Sequence, residues 1–166
     1  DPLWSNQWNM TKIGWDKYNG LGTPISTPIV SIIDTGVLAN HPDLSSIVTS
    51  GFNAITGSSI TTDDNGHGTH VSGIVSAVIN NGTGITGLSK SSILPIKVLD
   101  SAGSGTYGDI ANGIVWATDH GARIINMSLG GSSNSITLKN AVNYALNKGV
   151  SVVAAAGNSG TNQAFY

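Results

Sequence analysis

Ile29-Val30-Ser31-Ile32-Ile33-Asp34-Thr35-Gly36 decides how the rest of the chain is read. From 29 to 33 the run is almost wholly apolar and β-branched, with Pro28 before it and a glycine turn after it. Such a run predicts a strand buried on both faces, not one that alternates between core and water. Strands of that kind belong to parallel sheets covered by helices. The pattern continues outward in that sense. Residues 93–99, 123–127 and 150–155 read as further strands. Residues 67–78 predict a helix with Val71, Ile74, Val75 and Val78 on one face. Residues 108–119 predict another, with Ile110, Ile114, Val115 and Thr118 inward. A third spans 135–148, with Leu138, Val142 and Leu146 toward the core and Gly149 as its cap. The fold class is α/β, a mostly parallel sheet flanked by helices. No composition shift, internal repeat or low-complexity tract divides the chain, so 1–166 reads as one unit.

Composition removes several classes of function. A chain of 166 residues is long enough for one domain with a sizeable core. Hydrophobic residues make up 39% and charged residues 10%, a globular balance and not a disordered one. A net charge of −2 gives no basic face for nucleic acid or an anionic membrane. No apolar run approaches the ~18 residues of a membrane span. Cysteine is absent, which removes disulfides and a thiolate nucleophile. The start, Asp1-Pro2-Leu3, reads as a mature, processed terminus.

In a parallel sheet flanked by helices, functional residues gather just past the carboxyl ends of the strands. Asp34, Gly103-Ser104-Gly105, Ser128-Leu129-Gly130 and Asn158 all fall there. Asp34-Thr35-Gly36 alone is ambiguous, because Asp-Thr-Gly is also the aspartic-protease signature. That chemistry needs a second copy to share the proton, and mostly β structure. One copy and a βαβ pattern count against it. His67 opens a helix between two glycines, in Asn65-Gly66-His67-Gly68-Thr69-His70-Val71-Ser72-Gly73. A general base must reach a nucleophile and be oriented by a carboxylate, and Asp34 is the natural orienter. His70 lies about one turn on; with no zincin glutamate and no third ligand, it reads as a packed, hydrogen-bonded helix residue. His41 and His120 have no constellation around them. Residues 103–108 form a literal G-x-G-x-x-G. A dinucleotide site would want a carboxylate at the end of the next strand, and Ile124-Ile125-Asn126-Met127 has none. The other use of such a stretch is an extended segment whose backbone pairs with a peptide.

Taken in order, Asp34-Thr35-Gly36, the His67 motif, Ser128-Leu129-Gly130-Gly131 and Ala154-Ala155-Ala156-Gly157-Asn158 resemble the subtilisin-like serine peptidases. The likeness runs over essentially the whole chain. Asp1-Pro2 and Asn80-Asn81-Gly82-Thr83-Gly84-Ile85 are similar to the thermitase-like branch. The resemblance implies a three-layer subtilisin-like fold, incomplete in this chain, and a secreted, extracellular endopeptidase acting on peptides and proteins. It implies Asp34 as the triad aspartate, His67 as general base and then acid, and Asn158 as an oxyanion-hole donor. It implies Gly103, Ser104 and Gly105 on one side and Ser128, Leu129 and Gly130 on the other as the edges that take substrate between them. Leu99, Tyr107 and Leu129 would line apolar subsites. It also implies a structural calcium ion held by side-chain oxygens of Asp1, Asp43 and Asn81 and by carbonyls of Val78, Thr83 and Ile85. No second calcium loop is expected in 53–60, which lacks carboxylates, although Asp63 and Asp64 follow it.

The family's nucleophile sits in a Gly-Thr-Ser-Met-Ala turn, and no Gly-Thr-Ser occurs here. Gly105-Thr106 is followed by Tyr107, Gly68-Thr69 by His70, and Gly82-Thr83 by Gly84. The resemblance therefore implies an amino-terminal portion of one catalytic domain. Its partner would be a complementary carboxy-terminal fragment that carries the serine. The polar stretch 158–166 reads as an exposed loop, where a cut after Tyr166 would suit autolysis. The alternatives are a non-catalytic, peptide-binding relative that has lost its nucleophile and, more remotely, an aspartic protease.

Overall fold

The computed structural model describes residues 1–18, 27–160 and 166. A short 3-10 turn, Trp4–Asn6, leads into helices α1 (Trp8–Lys12) and α2 (Trp15–Tyr18). There follow β1 (Ile29–Asp34), β2 (Phe52–Asn53), α3 (His67–Ser76), β3 (Ser92–Lys97), α4 (Tyr107–Asp119), β4 (Ile124–Met127), α5 (Ile136–Asn147) and β5 (Ser151–Ala154). The strands form one sheet in the order β2-β3-β1-β4-β5, and every pairing is parallel. β1 runs in register with β3 from Ile29 opposite Ser92 to Asp34 opposite Lys97. Its other edge pairs Val30 with Ile124 and Ile32 with Asn126.

The apolar run of β1 is buried on both faces, as its composition requires. Val30 and Ile32 pack with Leu44 and Ile93 on the α3 side. Ile33 packs with Ile96, Ile110 and Ile114 under α4 and α5. Burying each such side chain contributes roughly 1.5–3 kcal/mol. Helices therefore cover both faces of a parallel sheet, the α/β architecture expected. The strand order reverses at β1, with β3 on one side and β4 on the other. Ligand sites in such sheets lie at that reversal, past the carboxyl ends.

Two expectations change. α3 does not press Val71, Ile74, Val75 and Val78 into the sheet as one apolar stripe. Its buried positions are Gly68, Ser72, Gly73 and Ser76, while Val71 and Val75 pack half-buried at the margin. Small residues let the helix backbone lie close on the end of β1: a Cβ added at Gly68 would collide with the Gly36 carbonyl. On α5 the buried residues are Ala141 and Ala145, and Leu146 is 51% exposed. The helix packs tightly on α4 through its alanines, which turns Leu146 outward. The amino-terminal turns and the two-residue strand β2 carry too little periodicity to be read in advance.

The amino terminus is tied to the loop after α3. Gln7 accepts from Thr86 N and donates to Thr86 O, both at 2.8 Å. Met10 is fully buried, and Trp4 and Trp15 stack obliquely at 5.3 Å. Among the described residues no helix is long and apolar enough to cross a membrane.

Candidate active site

β1 ends in Asp34, which is fully buried, and α3 begins at His67, half of whose side chain is exposed. The two meet through His67 Nδ1 and Asp34 Oδ1 at 2.8 Å. The same carboxylate oxygen accepts the backbone N–H of Thr35 at 2.7 Å. An Nδ1–H donated to a carboxylate leaves Nε2 as the basic nitrogen. Among the described residues no hydrogen bond reaches Nε2, and Asp34 Oδ2 is buried without a donor.

The turn before α3 is built to aim that histidine. Gly66 takes a left-handed conformation, φ 103°, which a side chain would resist. Asp63 collects the free N–H groups at the helix start. It accepts from Asn65 N, Gly66 N and Thr69 N at 2.9–3.0 Å, from Thr69 Oγ1 at 2.6 Å and from Thr35 Oγ1 at 2.8 Å. Burial pushes the Asp63 carboxyl up, but the Thr69 hydroxyl and the N–H groups of Gly66, Thr69 and Asn65 outweigh it. The group is held at about 2, below its ordinary 3.8.

His67 lies on a cleft of about 450 Å³. Leu99, Gly103, Ser104, Gly105 and Tyr107 line one wall, and Ser128, Leu129 and Gly130 the other. The first wall is stiffened by Asp100, whose carboxylate accepts from Ala102 N and Ser104 N. Gly105 lies so close to the Val98 carbonyl that a Cβ would overlap it. Thr106 caps α4 by accepting from Asp109 N at 3.1 Å and donating to Asp109 Oδ2 at 2.7 Å. The G-x-G-x-x-G stretch is thus an exposed cleft edge followed by a side-chain-capped helix. Tyr107 Oη accepts from Ser133 N, which links the two walls.

Sequence reasoning gave no role to Thr35, Asn65, Ile110 and Gly131, which also line the cleft. Asn65 stood inside the quoted motif; its amide donates to Ser101 O at 2.9 Å and so couples the histidine turn to the first wall. Asn158 is not brought to the cleft lining. It lies exposed in the bend beyond β5. Of the expected loop at 158–166, residues 161–165 fall outside the described residues. Tyr166 N donates to Gly131 O at 2.9 Å, and Gly131 N donates back to Tyr166 O.

A second group of predicted residues meets on the far side of α3. Asp43 is buried, and its carboxylate accepts from Asn81 Nδ2 at 2.8 Å and Ile85 N at 2.9 Å. Asp1 accepts from Asn80 N, Gly82 N and Thr86 Oγ1. The Gly84 and Thr86 carbonyls accept from Leu3 N and Gln7 Nε2. Among the described residues, the carbonyls of Val78, Thr83 and Ile85 accept no hydrogen bond. Two carboxylates, an amide oxygen and uncommitted carbonyls around one loop are the donor set a hard cation takes.

His70 corrects its expectation. It is exposed, its side chain makes no hydrogen bond among the described residues, and it lines a largely apolar pocket of about 410 Å³ with His41 and Leu44. Among the described residues, no three His, Cys, Asp or Glu side chains gather as a metal site. His120 stacks on Trp116 and bonds its carbonyl through Nδ1 at 2.7 Å.

The sequence pattern of the subtilase family matches residues 26–165. Thermitase of Thermoactinomyces vulgaris is 48% identical, over all of this chain and 60% of its own length. Subtilisin DY of Bacillus licheniformis is 51% identical, over 89% of this chain and 53% of its own length. A crystal structure of a cold adapted subtilisin-like serine proteinase superposes with a TM-score of 0.71 at 36% identity, covering 79% of this chain and 46% of that one. The chain thus spans about half the length of these relatives.

Proposed function

This chain belongs to the subtilase family, and from that premise we propose that it contributes Asp34, His67 and the oxyanion donor Asn158 to a Ser-His-Asp endopeptidase whose serine lies on polypeptide outside residues 1–166. The observation that carries the reading is the 2.8 Å bond between Asp34 and His67 on a cleft of about 450 Å³. Asp34 holds the imidazole in the tautomer with Nδ1 protonated. Nε2 takes the proton of the serine hydroxyl as that oxygen attacks the scissile carbonyl, and then gives the proton to the departing amine. The carboxylate stabilises the imidazolium in between. Asn158, exposed beyond β5 and outside the cleft lining, would swing toward the cleft for its amide to reach the developing oxyanion. An extended substrate lies between residues 103–105 and 128–130 and pairs with their backbones. Leu99, Tyr107 and Leu129 take its apolar side chains.

The complementary polypeptide accounts for two further features. Asp34 Oδ2 is a buried acceptor in want of a donor. The edge strand β5 leaves Val153 53% exposed, and the alanines at 154–156, at and just beyond its end, are exposed. Calcium would be held by Asp1, Asp43 and Asn81 with the carbonyls of Val78, Thr83 and Ile85. It would fix the amino terminus to the loop after α3. Asp63 and Asp64 serve elsewhere: Asp63 binds the turn before α3, and Asp64 pairs with Lys97 at 2.6 Å. We place the activity outside the cell, on protein substrates.

A fluorophosphonate probe on the native preparation tests the reading. The label is expected on a serine outside residues 1–166, and His67→Ala should abolish labelling and turnover together. A labelled serine within the chain, turnover that survives His67→Ala, or peptide binding without turnover would overturn it.

A further inference from the structure

Thr35 looks at first like a spacer between the catalytic aspartate and a glycine turn, yet it is fully buried and none of its polar groups is idle. Its N–H donates to Asp34 Oδ1 at 2.7 Å. Its hydroxyl donates to Asp63 Oδ1 at 2.8 Å and accepts from Gly68 N, inside the first turn of α3, at 3.0 Å. Its carbonyl accepts from Lys97 Nζ at 2.6 Å. Those bonds lead to each part that proton transfer needs: the carboxylate, the helix that carries His67, and the strand beside Asp34.

The partners are themselves fixed. Lys97 pairs in register with Asp34 across β1 and β3 and is nearly buried. Its ammonium has three protons to give, and they go to Thr35 O, to Leu99 O at 2.9 Å and to Asp64 Oδ1 at 2.6 Å. Leu99 belongs to the cleft wall, so one ammonium joins the aspartate turn to that wall. Asp63 carries the helix start, and its depressed pKa keeps it an acceptor. The surroundings allow little slack. A Cβ at Gly68 would strike the Gly36 carbonyl and press on Asp34 Cβ and Thr35 Oγ1.

We infer that Thr35, gripped by Asp63 and Lys97, is the positioning residue that sets the distance and angle between Asp34 and His67. It acts through its neighbours and touches no reacting atom. The hydroxyl is the element that matters, because it ties the residue after Asp34 directly to the first turn of α3, beside the Asp34–His67 bond itself. Replacing it by a methyl group leaves Gly68 N buried without an acceptor and removes a donor from Asp63. The helix start can then drift from the carboxylate by a fraction of an ångström, at the point where the reaction is most sensitive to distance.

The inference rests on the peptidase reading above, and the test separates the two. Thr35→Val and Thr35→Ser are made in the active, serine-bearing protein, and rates are normalised by active-site titration. Thr35→Val should lower kcat about 10- to 100-fold, with KM changed less than about twofold. The acid limb of its kcat/KM profile should move to lower pH, because an imidazolium less well paired with Asp34 loses its proton more readily. Thr35→Ser, which keeps the hydroxyl, should restore kcat to within about threefold and the limb to its place. Should Thr35→Val not fold, Asp63→Asn decides by the same readouts. A lower melting temperature with kcat and the pH limb unmoved would assign the network to stability alone and overturn the inference. Wild-type protein without peptidase turnover would overturn both readings.

Discussion

Asp34 Oδ1 serves two donors at once, Thr35 N and His67 Nδ1. Its position therefore matters as much as its charge. Asp34→Asn keeps the shape but offers the imidazole the wrong tautomer; kcat of the serine-bearing protein should fall by about four orders of magnitude, with KM little changed. Asp63 supports a second prediction at this scale. Its folded pKa of about 2 lies below the ordinary 3.8, so its contribution to stability is complete above pH 3.8 and is lost as pH falls through 2. Urea unfolding between those limits should show stability falling with pH in the wild type and a flatter course in Asp63→Asn. Asp34 and His67 were legible in the sequence because a short motif surrounds each. The grip on Thr35 was not, because Asp63 and Lys97 reach it from other elements and belong to no local pattern.

At the scale of the element, α3 shows why apolar periodicity misleads. Its buried side is Gly68, Ser72, Gly73 and Ser76. Ser72 satisfies its hydroxyl on Gly68 O and Ser76 bonds Ser89, so the serines can be buried at little cost. The valines and isoleucine that dominate the sequence signal sit at the margins. Close approach, not apolar area, is what this helix provides. Gly68→Ala should destabilise by about 1–3 kcal/mol by overpacking and should uncouple the Asp34–His67 pair, read by thermal unfolding and turnover together. α4 and α5 were easier to place, since Ile110 and Ile114 on the first and Leu138 and Val142 on the second recur at helical spacing and do pack on the core; their side-chain caps, Thr106 and Ser135, emerge only in the structure. Thr106→Ala should cost about 1 kcal/mol in thermal unfolding. Leu146 was misplaced because Ala141 and Ala145, the residues that pack, are too small to stand out.

For the whole molecule, the amino terminus and the loop after α3 meet through Asp1, Gln7, Asp43 and Asn81. The cation proposed above would, among those oxygens, link segments far apart in sequence. Calcium at about a hundredfold over its Kd should raise the melting temperature by roughly 5–10 °C, and Asp43→Asn should abolish the response. The α/β class and the parallel sheet could be read from apolar runs alone. The strand order could not, because periodicity does not say which strands are neighbours. That order has a kinetic consequence. β1 emerges early in synthesis, but it is the central strand and pairs with Ser92–Lys97 and then Ile124–Met127. It must wait, unpaired and sticky, until most of the chain exists. Pairings so distant in sequence make folding slow. The aspartate turn is written early and waits for both neighbouring strands, so refolding should recover helical signal well before Asp34 and His67 meet.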